Sequence, residues 1–496
     1  MAKFKYKTQM YSHLFANRQN IYNEVAAEAK KIGIADELSK LASEGRGTFG
    51  LTGGVSGAPA PLRDDILEYS HKEAKKVTGL AGYVEEMRYL VKDYYGPEFD
   101  VCPTSTCEAA INVCYTSMFM PSVMGTGDAY RARYIAPLEK HFHHQGGYGR
   151  PFPPKYKDII ADRGCTAGEL SMMGKRQYNL DTLVVPLAGA NYDMHGIKYM
   201  PAPLLTGVKG EPNRAVLEEI AARHADLLTG ITSVGYDTPG YGYGDHDKDG
   251  TPVLQKVLAD VAHKYNVPYV VDAAWCLPFI GHDIRKTGAD AICYSLDKAS
   301  GAPICGLIIG KEDIVVNARR AMGFHGNRYG ALASYGKAVS VAFDPGKESL
   351  CGAIAALRVL KDKPEIMTKP VDGMYDIIVD EFKKGLPPEL LKGFTFTKTY
   401  GSCAVEVNYE GTWANGQMGV PIFSIEDMYG GTNIFQEGIG AMGMIPTIAY
   451  DGNIYISTGL NTLDDQGNLI PERMRLTVKG LIALINITCK YAGILE

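Results

Sequence analysis

The sequence predicts an α/β fold: a large domain in which a mostly parallel sheet is flanked by helices, followed by a smaller α+β domain. Two observations predict this architecture. From about residue 65 to 310, helical stretches alternate with short apolar strands, which is typical of a parallel sheet wrapped by helices. The chain of 496 residues also exceeds the size at which one hydrophobic core usually stops growing, so two domains are expected.

The order of the elements divides the chain into three predicted segments. Residues 1–60 form a helical arm that ends in a glycine-rich loop at 45–57, and this loop either contacts a ligand or joins domains. Residues 61–345 form the large domain. Residues 346–496 form the small domain, because the composition changes there to a long helical stretch, then strands, then a terminal helix.

The clearest helix and strands of the large domain lie between residues 251 and 310. Apolar residues recur there at the spacing of one helix face, from Val253 to Val261. Apolar runs at 269–271, 291–294 and 306–309 follow closely and predict three strands of the sheet.

The composition excludes several classes of partner. The formal net charge is −5, so the chain has no basic excess to bind the phosphates of nucleic acid. The basic start is not followed by the apolar run of a secretory signal, and no stretch approaches the roughly 18 apolar residues of a membrane span. Ten scattered cysteines indicate reduced thiols. The sequence therefore predicts a cytoplasmic protein that binds neither nucleic acid nor membranes.

An acid and a lysine stand at the ends of two successive predicted strands, in the runs Val-Val-Asp-Ala-Ala-Trp at 270–275 and Tyr-Ser-Leu-Asp-Lys at 294–298. A buried acid such as Asp272 is costly without a cationic partner, and a protonated pyridine nitrogen would be one. The amine of Lys298 can form a Schiff base with a cofactor aldehyde. Each residue alone also has an ordinary interpretation, in which Asp272 caps a helix and Lys298 is a solvated loop residue. The occurrence of both residues, in this order along the chain, favours a cofactor site.

Hydroxyl residues precede a helix-forming run upstream, in Pro-Thr-Ser-Thr-Cys-Glu at 103–108. Ser105, Thr106 and Cys107 would then place side chains and free backbone N–H groups at a helix N-terminus, which suits a phosphate. Ser295 could add a further hydroxyl. The same pattern is also that of an ordinary helix cap.

A third candidate group is the histidine-rich turn after the predicted strand at 133–138, where His141 is placed to lie flat on a cofactor ring. Three histidines this close could also bind a metal ion, but no second ligand cluster is evident, so no metal is predicted. Asp237 ends another predicted strand and either contacts substrate or makes a turn. Arg328 and Arg475 are candidate clamps for a substrate carboxylate, although each also has the ordinary interpretation of a surface arginine.

These segments together resemble the fold-type I pyridoxal-phosphate enzymes, the aspartate aminotransferase superfamily, over roughly residues 60–345. The lysine motif, followed by Gly301, Pro303 and Gly306, is similar to that of bacterial selenocysteine synthase and its ammonia-lyase relatives. The aspartate motif is similar to that of the group II amino-acid decarboxylases, and the phosphate segment to that of the cysteine desulfurases. Cys107 and Trp275 depart from the usual residues at their positions, which leaves the subfamily open.

The resemblance implies a seven-stranded large-domain sheet, pyridoxal 5'-phosphate as cofactor, and a homodimer or homotetramer with shared active sites. It implies that Lys298 is the Schiff-base lysine and proton shuttle, that Asp272 pairs with the pyridine nitrogen, and that His141 and Ala274 cover the two ring faces. Thr106, Cys107 and Ser295 would hold the phosphate. The predicted function is a lyase that removes the α-proton of an amino acid and expels a β-substituent; decarboxylation and aminotransfer are the alternatives.

Overall fold

The computed structural model describes residue 4 and residues 7–55, 58–119, 133–138, 150–151, 184–185, 198–203, 210–235, 246–298, 301–324, 340–409, 411–412, 419–421, 434–447, 449–450 and 453–496. The helices, numbered here along this described part, are α1 Lys7–Ala16, α2 Arg18–Lys31, α3 Ile34–Ser43, α4 Asp64–Ala74, α5 Leu80–Tyr95, α6 Cys107–Cys114, α7 Arg214–Arg223, α8 Val253–Lys264, α9 Ile284–Thr287, α10 Glu312–Met322, α11 Gly346–Asp362, α12 Glu365–Gly385, α13 Pro388–Leu391, α14 Ile434–Ala441 and α15 Pro471–Tyr491.

The strands are numbered in the same way. They are β1 Gly54–Val55, β2 Ala58–Pro59, β3 Phe99–Thr104, β4 Arg133–Leu138, β5 Arg150–Pro151, β6 Val184–Val185, β7 Lys198–Pro203, β8 Leu228–Val234, β9 Tyr269–Ala273, β10 Ala291–Ser295, β11 Gly306–Lys311, β12 Thr395–Thr399, β13 Ala404–Asn408, β14 Ala449–Tyr450 and β15 Asn453–Ser457.

A seven-stranded sheet forms the centre of the larger unit, in the order β3-β11-β10-β9-β8-β4-β7. Strands β10, β9, β8, β4 and β7 run parallel to one another, whereas β11 is antiparallel to both β10 and β3. The predicted α/β class and mostly parallel sheet are confirmed. The strands at the centre of the sheet are buried on both faces, as β9 and β10 are at every position, which explains their continuous apolar sequence.

The position of β3 explains a proline that would otherwise argue against a strand. Pro103 lacks a backbone N–H and cannot complete a ladder on both sides. Strand β3 lies at the edge of the sheet and pairs only with β11, where Pro103 faces Leu307. The edge position therefore allows Pro103 to stand one residue before the end of a strand.

Helix α8 shows why the helical prediction at 253–261 is correct. Leu254, Val257, Leu258 and Val261 occur at intervals of three and four residues and are all fully buried, so one face of the helix enters the core. The helix contacts β8 and β9, the strands whose carboxyl ends carry candidate site residues.

The chain divides into two compact units. The larger comprises the described residues from 64 to 364, and the smaller comprises those of 1–63 together with 365–496. The sequence predicts a separate arm over the first 60 residues and a small domain that begins at residue 346. In the structure, α1–α3 belong to the same unit as the carboxyl-terminal segment, and α11 belongs to the larger unit.

The smaller unit contains an antiparallel sheet in the order β12-β13-β15-β14. Its helices pack around α15, which contacts α12, α2, α14 and α3. Most of the length of α15 is apolar on the buried side, with Leu481, Leu484 and Ile485 among its fully buried residues.

Candidate active site

The candidate site is at the edge of the large sheet where the carboxyl ends of the parallel strands meet. Tyr294 of β10 pairs with Ala273 of β9, Ser295 pairs with Gly306 of β11, and Gly306 pairs with Thr104 of β3. These register pairs bring the ends of three strands to one side. In open α/β sheets, this edge is where ligands bind.

Asp272 lies within β9 and is only 2% exposed. Its Oδ1 accepts a hydrogen bond from the backbone N–H of Ala274 at 3.2 Å, and Ala274 is itself buried. Asp272 pairs in register with Cys293 on β10 and with Val234 on β8. A carboxylate in this environment is poorly solvated, so its charge is stabilised by a cation brought to the site.

Lys298 ends the short 3-10 turn that follows β10. Its side chain is 11% exposed, and its Nζ lies 3.9 Å from Oδ2 of Asp297. Asp297 in turn accepts a hydrogen bond from the Oγ of Ser295 at the end of β10. A chain of contacts therefore leads from the predicted phosphate-binding hydroxyl to the predicted Schiff-base lysine.

The segment before α6 has the geometry of an anion-binding helix N-terminus. Thr106 is the N-cap, and its Oγ1 accepts a hydrogen bond from the N–H of Ala109 at 3.1 Å, which leaves its hydroxyl proton available to donate. The N–H groups of Cys107 and Glu108 make no hydrogen bond within the described residues. Both N–H groups belong to the first turn of the helix, whose dipole also favours a negative charge there.

Three contacts hold this segment in place. The backbone N–H of Ser105 donates to the carbonyl of Phe343 at 2.7 Å, and the hydroxyl of Thr104 donates to the carbonyl of Thr106 at 2.8 Å. Gly306 lies so close that a Cβ added to it would stand 2.0 Å from the Thr106 oxygen. Only glycine permits this approach of β11 to the loop before α6.

The buried thiol of Cys107 lies close to the charged groups of the site, Asp272 and Lys298. Burial raises the pKa of Cys107 well above its usual value, and the negative charge of Asp272 raises it further. Lys298 acts in the opposite direction on the same thiol. The first residue of α6, the acid of β9 and the lysine after β10 therefore share one electrostatic environment.

Comparison with known proteins adds a relative and a fold. No protein-family model matches the sequence. A 5'-C-glycyluridine monooxygenase-decarboxylase from a Streptomyces species is 30% identical over 179 residues, which is 34% of this chain; the chain spans 39% of that relative's length. An S-selective transaminase from Bacillus megaterium matches with a TM-score of 0.50 at 11% identity, covering 88% of this chain and 87% of its own.

A second solved structure is the adenosylmethionine-8-amino-7-oxononanoate aminotransferase from Methanocaldococcus jannaschii. It also has a TM-score of 0.50, at 12% identity, and the match covers 88% of this chain and 89% of that one. The chain has the fold of the aspartate aminotransferase superfamily. The fold-type I architecture that the resemblance implies is therefore confirmed.

The donor set of this site fits pyridoxal 5'-phosphate, the cofactor that the resemblance of the sequence implies. Asp272 offers a buried carboxylate for the pyridine nitrogen, and Lys298 offers an amine for the aldehyde. The N-terminus of α6 offers the hydroxyl of Thr106 and the N–H groups of Cys107 and Glu108 for the phosphate. Each part of the cofactor thus has a chemically matched group at one sheet edge.

The predicted residues divide into three groups by position. The structure brings together, at this edge, Ser105, Thr106, Cys107, Asp272, Ala274, Ser295 and Lys298. Three predicted residues lie outside the described residues: His141, Asp237 and Arg328.

Arg475 lies on α15 in the smaller unit. Its Nη1 forms ion pairs with Asp380 at 3.1 Å and Glu381 at 2.7 Å. Two carboxylates of α12 thus already occupy the guanidinium, and its role as a substrate clamp stays a prediction.

Sequence reasoning missed several residues that shape the site. Asp297 contacts both Ser295 and Lys298, and its position next to the lysine was the available signal. Tyr115 was missed as well: its hydroxyl donates to Thr232 at 2.8 Å, and its pKa is raised by burial and by Asp272 among other charges. No local motif marks Tyr115, because only the fold brings the end of α6 close to β8.

Among the residues that the structure describes, no group of three or more histidine, cysteine or acidic side chains is arranged to hold a metal ion. No helix in this part of the chain is long and apolar enough to cross a membrane.

Proposed function

We propose that this chain is a pyridoxal-phosphate enzyme that weakens a bond at the α-carbon of an amino-acid substrate. The observation that carries the proposal is the meeting of Asp272, Lys298 and the N-terminus of α6 at one edge of the large sheet. Lys298 would hold the cofactor through its amine, and Asp272 would hold the ring nitrogen. Residues 105–107 and Ser295 would hold the phosphate, and Ala274 and His141 would cover the ring.

The chemistry follows from the charges that the protein supplies. When bound, pyridoxal phosphate withdraws electrons from the α-carbon of the substrate. Asp272 sustains this effect, because a carboxylate that is 2% exposed strongly favours a protonated nitrogen as its partner. Lys298 would accept the α-proton and later return it, because an amine can act first as a general base and then as a general acid.

For the reaction itself we propose β-elimination first. Lys298 removes the α-proton and the β-substituent departs with its electron pair, so that the substrate ends as a keto acid and ammonia after hydrolysis. The support is the lysine motif at 294–298 with the glycines and proline that follow it. Incubation with β-substituted amino acids should release the keto acid and the leaving group in equal amounts.

The second candidate is α-decarboxylation. It is favoured by the printed name of the Streptomyces relative, a monooxygenase-decarboxylase, and by the aspartate motif at 270–275. Release of carbon dioxide without ammonia would select it, and oxygen uptake in the same assay would extend the likeness to that relative. Aminotransfer is third, and conversion of the bound cofactor to a stable pyridoxamine form would identify it.

The experiment that tests the cofactor is an absorption spectrum of the purified protein with added pyridoxal phosphate. The wild type should show a visible band that shifts with one class of amino acid. Lys298→Ala should lose the band, while Lys264→Ala, a lysine on the surface of α8, should keep it. Pyridoxal phosphate that remains covalently attached to Lys298→Ala after borohydride reduction would contradict the assignment of Lys298.

We also propose that the protein is a cytoplasmic homodimer or homotetramer whose active sites are shared, since this arrangement is what the resemblance implies. Light scattering during size-exclusion chromatography measures the mass directly. A monomer of 53.9 kDa with full activity would contradict the shared site.

A further inference from the structure

Asp297 is a second buried acid of the site, and it directly precedes Lys298 in the chain. It lies in the 3-10 turn that follows β10, and it is only 2% exposed. Its Oδ2 is 3.9 Å from Nζ of Lys298, whose side chain is 11% exposed. Because little water reaches either group, their attraction is screened less than that of an ion pair on the protein surface.

The turn that carries Asp297 and Lys298 is held by contacts on both of its sides. The N–H of Leu296 donates to the carbonyl of Cys305 at 2.9 Å, which extends the pairing of β10 with β11 into the turn. The hydroxyl of Ser295 donates to Oδ1 of Asp297. One carboxylate oxygen is therefore oriented by the serine, while the other makes the contact with the lysine amine.

The distance between the lysine nitrogen and the carboxylate permits the amine to move. A hydrogen bond between nitrogen and oxygen spans about 2.7–3.2 Å, so the contact between Nζ of Lys298 and Oδ2 of Asp297 is an ion pair without a hydrogen bond. The carboxylate attracts the amine but does not fix its direction. Lys298 can therefore bond to a cofactor aldehyde without first breaking a hydrogen bond to Asp297.

Other titratable side chains share this environment within the described part of the chain: Asp272 of β9, Cys293 of β10, Cys107 of α6 and Cys305, which precedes β11. Burial raises the pKa of all three thiols, and the negative charge of Asp297 adds to this effect for Cys107 and Cys305. The thiols are therefore uncharged at neutral pH. The two aspartates are the acids of this set, and only Asp297 contacts the lysine amine at an ion-pair distance among these side chains.

We propose that Asp297 is the positioning residue of Lys298, and that its carboxylate stabilises positive charge on the lysine nitrogen. It does so both when this nitrogen is bonded to the cofactor and when it is a free ammonium group. This inference rests on the proposed linkage of Lys298 to pyridoxal phosphate. It assigns one buried acid to each nitrogen: Asp272 to the ring nitrogen and Asp297 to the lysine nitrogen. The ammonium that Lys298 forms on accepting the α-proton then stays beside a carboxylate inside the site.

A pH titration of the visible absorbance of the protein loaded with pyridoxal phosphate tests this assignment. The band is lost when the lysine nitrogen loses its proton, so the midpoint of the loss measures how strongly positive charge is stabilised there. An acid within about 4–6 Å moves such a midpoint by roughly 1–3 pH units. We expect Asp297→Asn to lower the midpoint by at least about one unit, because asparagine keeps an acceptor for Ser295 but removes the charge. Asp297→Glu keeps the charge and should have a higher midpoint than Asp297→Asn.

Asp290→Asn is the matched control. Asp290 is also buried, but it immediately precedes β10 and so lies at the opposite end of that strand from the site. Its Oδ1 pairs with Lys311 at 2.7 Å. Loss of this acid should reduce stability without moving the midpoint. An equal shift in Asp290→Asn and Asp297→Asn would show that the midpoint responds to the loss of any buried acid, and it would overturn the assignment.

A second neutral variant, Asp297→Ser, carries the same expectation if circular dichroism shows that Asp297→Asn does not fold. A wild-type midpoint in a folded neutral variant would overturn the role of Asp297 and leave the proposed function intact. A wild-type protein that forms no visible band with pyridoxal phosphate would instead refute the linkage of Lys298 itself. The failure of this inference and the failure of the proposed function are thus separate results.

Discussion

Asp272 shows how one buried charge sets the chemistry expected at this site. Asp272→Asn keeps the size of the side chain but removes the charge that favours a protonated ring nitrogen. We expect the rate to fall on the order of 10²–10³-fold while the folded structure is retained. Steady-state kinetics and circular dichroism measure the two quantities.

The control for Asp272→Asn is Asp283→Asn, because Asp283 caps α9 in the same unit and pairs with Arg285 on the surface. It should retain the wild-type rate. An Asp272→Asn enzyme with a wild-type rate would show that the ring nitrogen is not held by this acid.

At the scale of residues, the sequence predicts candidate site residues only where a local pattern marks them. Asp272, Lys298 and Thr106 are predictable because each lies at or beside the end of a strongly patterned strand or helix. The sequence motif contains Gly306 but does not reveal its steric role. Its steric role depends on the distance between two strands that are about 200 residues apart in the sequence, and no local pattern encodes that distance.

At the scale of elements, Gly306 determines how closely β11 approaches the loop before α6. Gly306→Ala would force the Thr106 carbonyl to move, because the new Cβ would meet it at 2.0 Å. We expect a loss of about 1–3 kcal/mol in the free energy of unfolding, together with weaker retention of pyridoxal phosphate. Denaturant titration and the absorbance after dialysis report these effects.

Gly440→Ala is the matched control, since Gly440 lies near the end of α14, is exposed, and has no atom within 4 Å of the added Cβ. It should be neutral or stabilise by up to about 1 kcal/mol. Equal effects of the two substitutions would show that the close approach at Gly306 is not constrained.

A buried ion cluster joins three other elements of the larger unit. Asp100, on β3, is fully buried and pairs with Arg88 of α5 at 2.7 Å and with Arg319 of α10 at 2.9 Å. Burial alone lowers the pKa of Arg88, but the hydrogen bonds to Asp100 and Glu85 outweigh it and the pKa is raised. The cluster holds both helices against the edge strand.

Asp100→Asn should cost about 3–5 kcal/mol in the free energy of unfolding, because it removes the buried acid that Arg88 and Arg319 share. Glu85→Gln removes a more exposed partner of the same Arg88 and should cost less than about 1 kcal/mol. Urea denaturation compares the two. Similar losses of stability in the two variants would mean that the burial of Asp100 does not strengthen its ion pairs with Arg88 and Arg319.

The elements themselves were largely predictable, but their arrangement was not. The strands at 269–273, 291–295 and 306–311 and helix α8 follow from apolar spacing. The antiparallel direction of β11 between β3 and β10 depends on pairing across the sheet. The apolar sequence of a buried strand does not indicate the direction in which the strand runs. The grouping of α1–α3 with the carboxyl-terminal segment is likewise a long-range contact that local composition does not contain.

At the scale of the whole molecule, buried thiols make the protein sensitive to alkali. Burial raises the pKa of five enclosed thiols, to about 12 for Cys305 and well above the usual value for the others: Cys102, Cys107, Cys293 and Cys489. In the unfolded chain these thiols ionise near pH 8.5. Above that pH the unfolded state has lost protons that the native state keeps, so stability falls as pH rises.

Each such thiol should lower the free energy of unfolding by about 1.4 kcal/mol per pH unit between roughly pH 9 and 11. Cys489→Ala should change the free energy of unfolding at every pH. It should also make the fall of that free energy with pH less steep, by the amount that one thiol contributes. Urea titrations across this range separate the shift from the slope. A slope that Cys489→Ala leaves unchanged would show that this thiol ionises equally in both states.

The smaller unit is assembled from both ends of the chain, and this has a consequence for synthesis. Helix α2 packs against α15, which begins more than 400 residues after α3 ends. At 5–20 residues per second, the first three helices wait roughly 20–90 s on the ribosome for their partner. The larger unit is translated entirely within that interval, so the nascent amino-terminal helices must remain unaggregated while their apolar faces have no lasting partner.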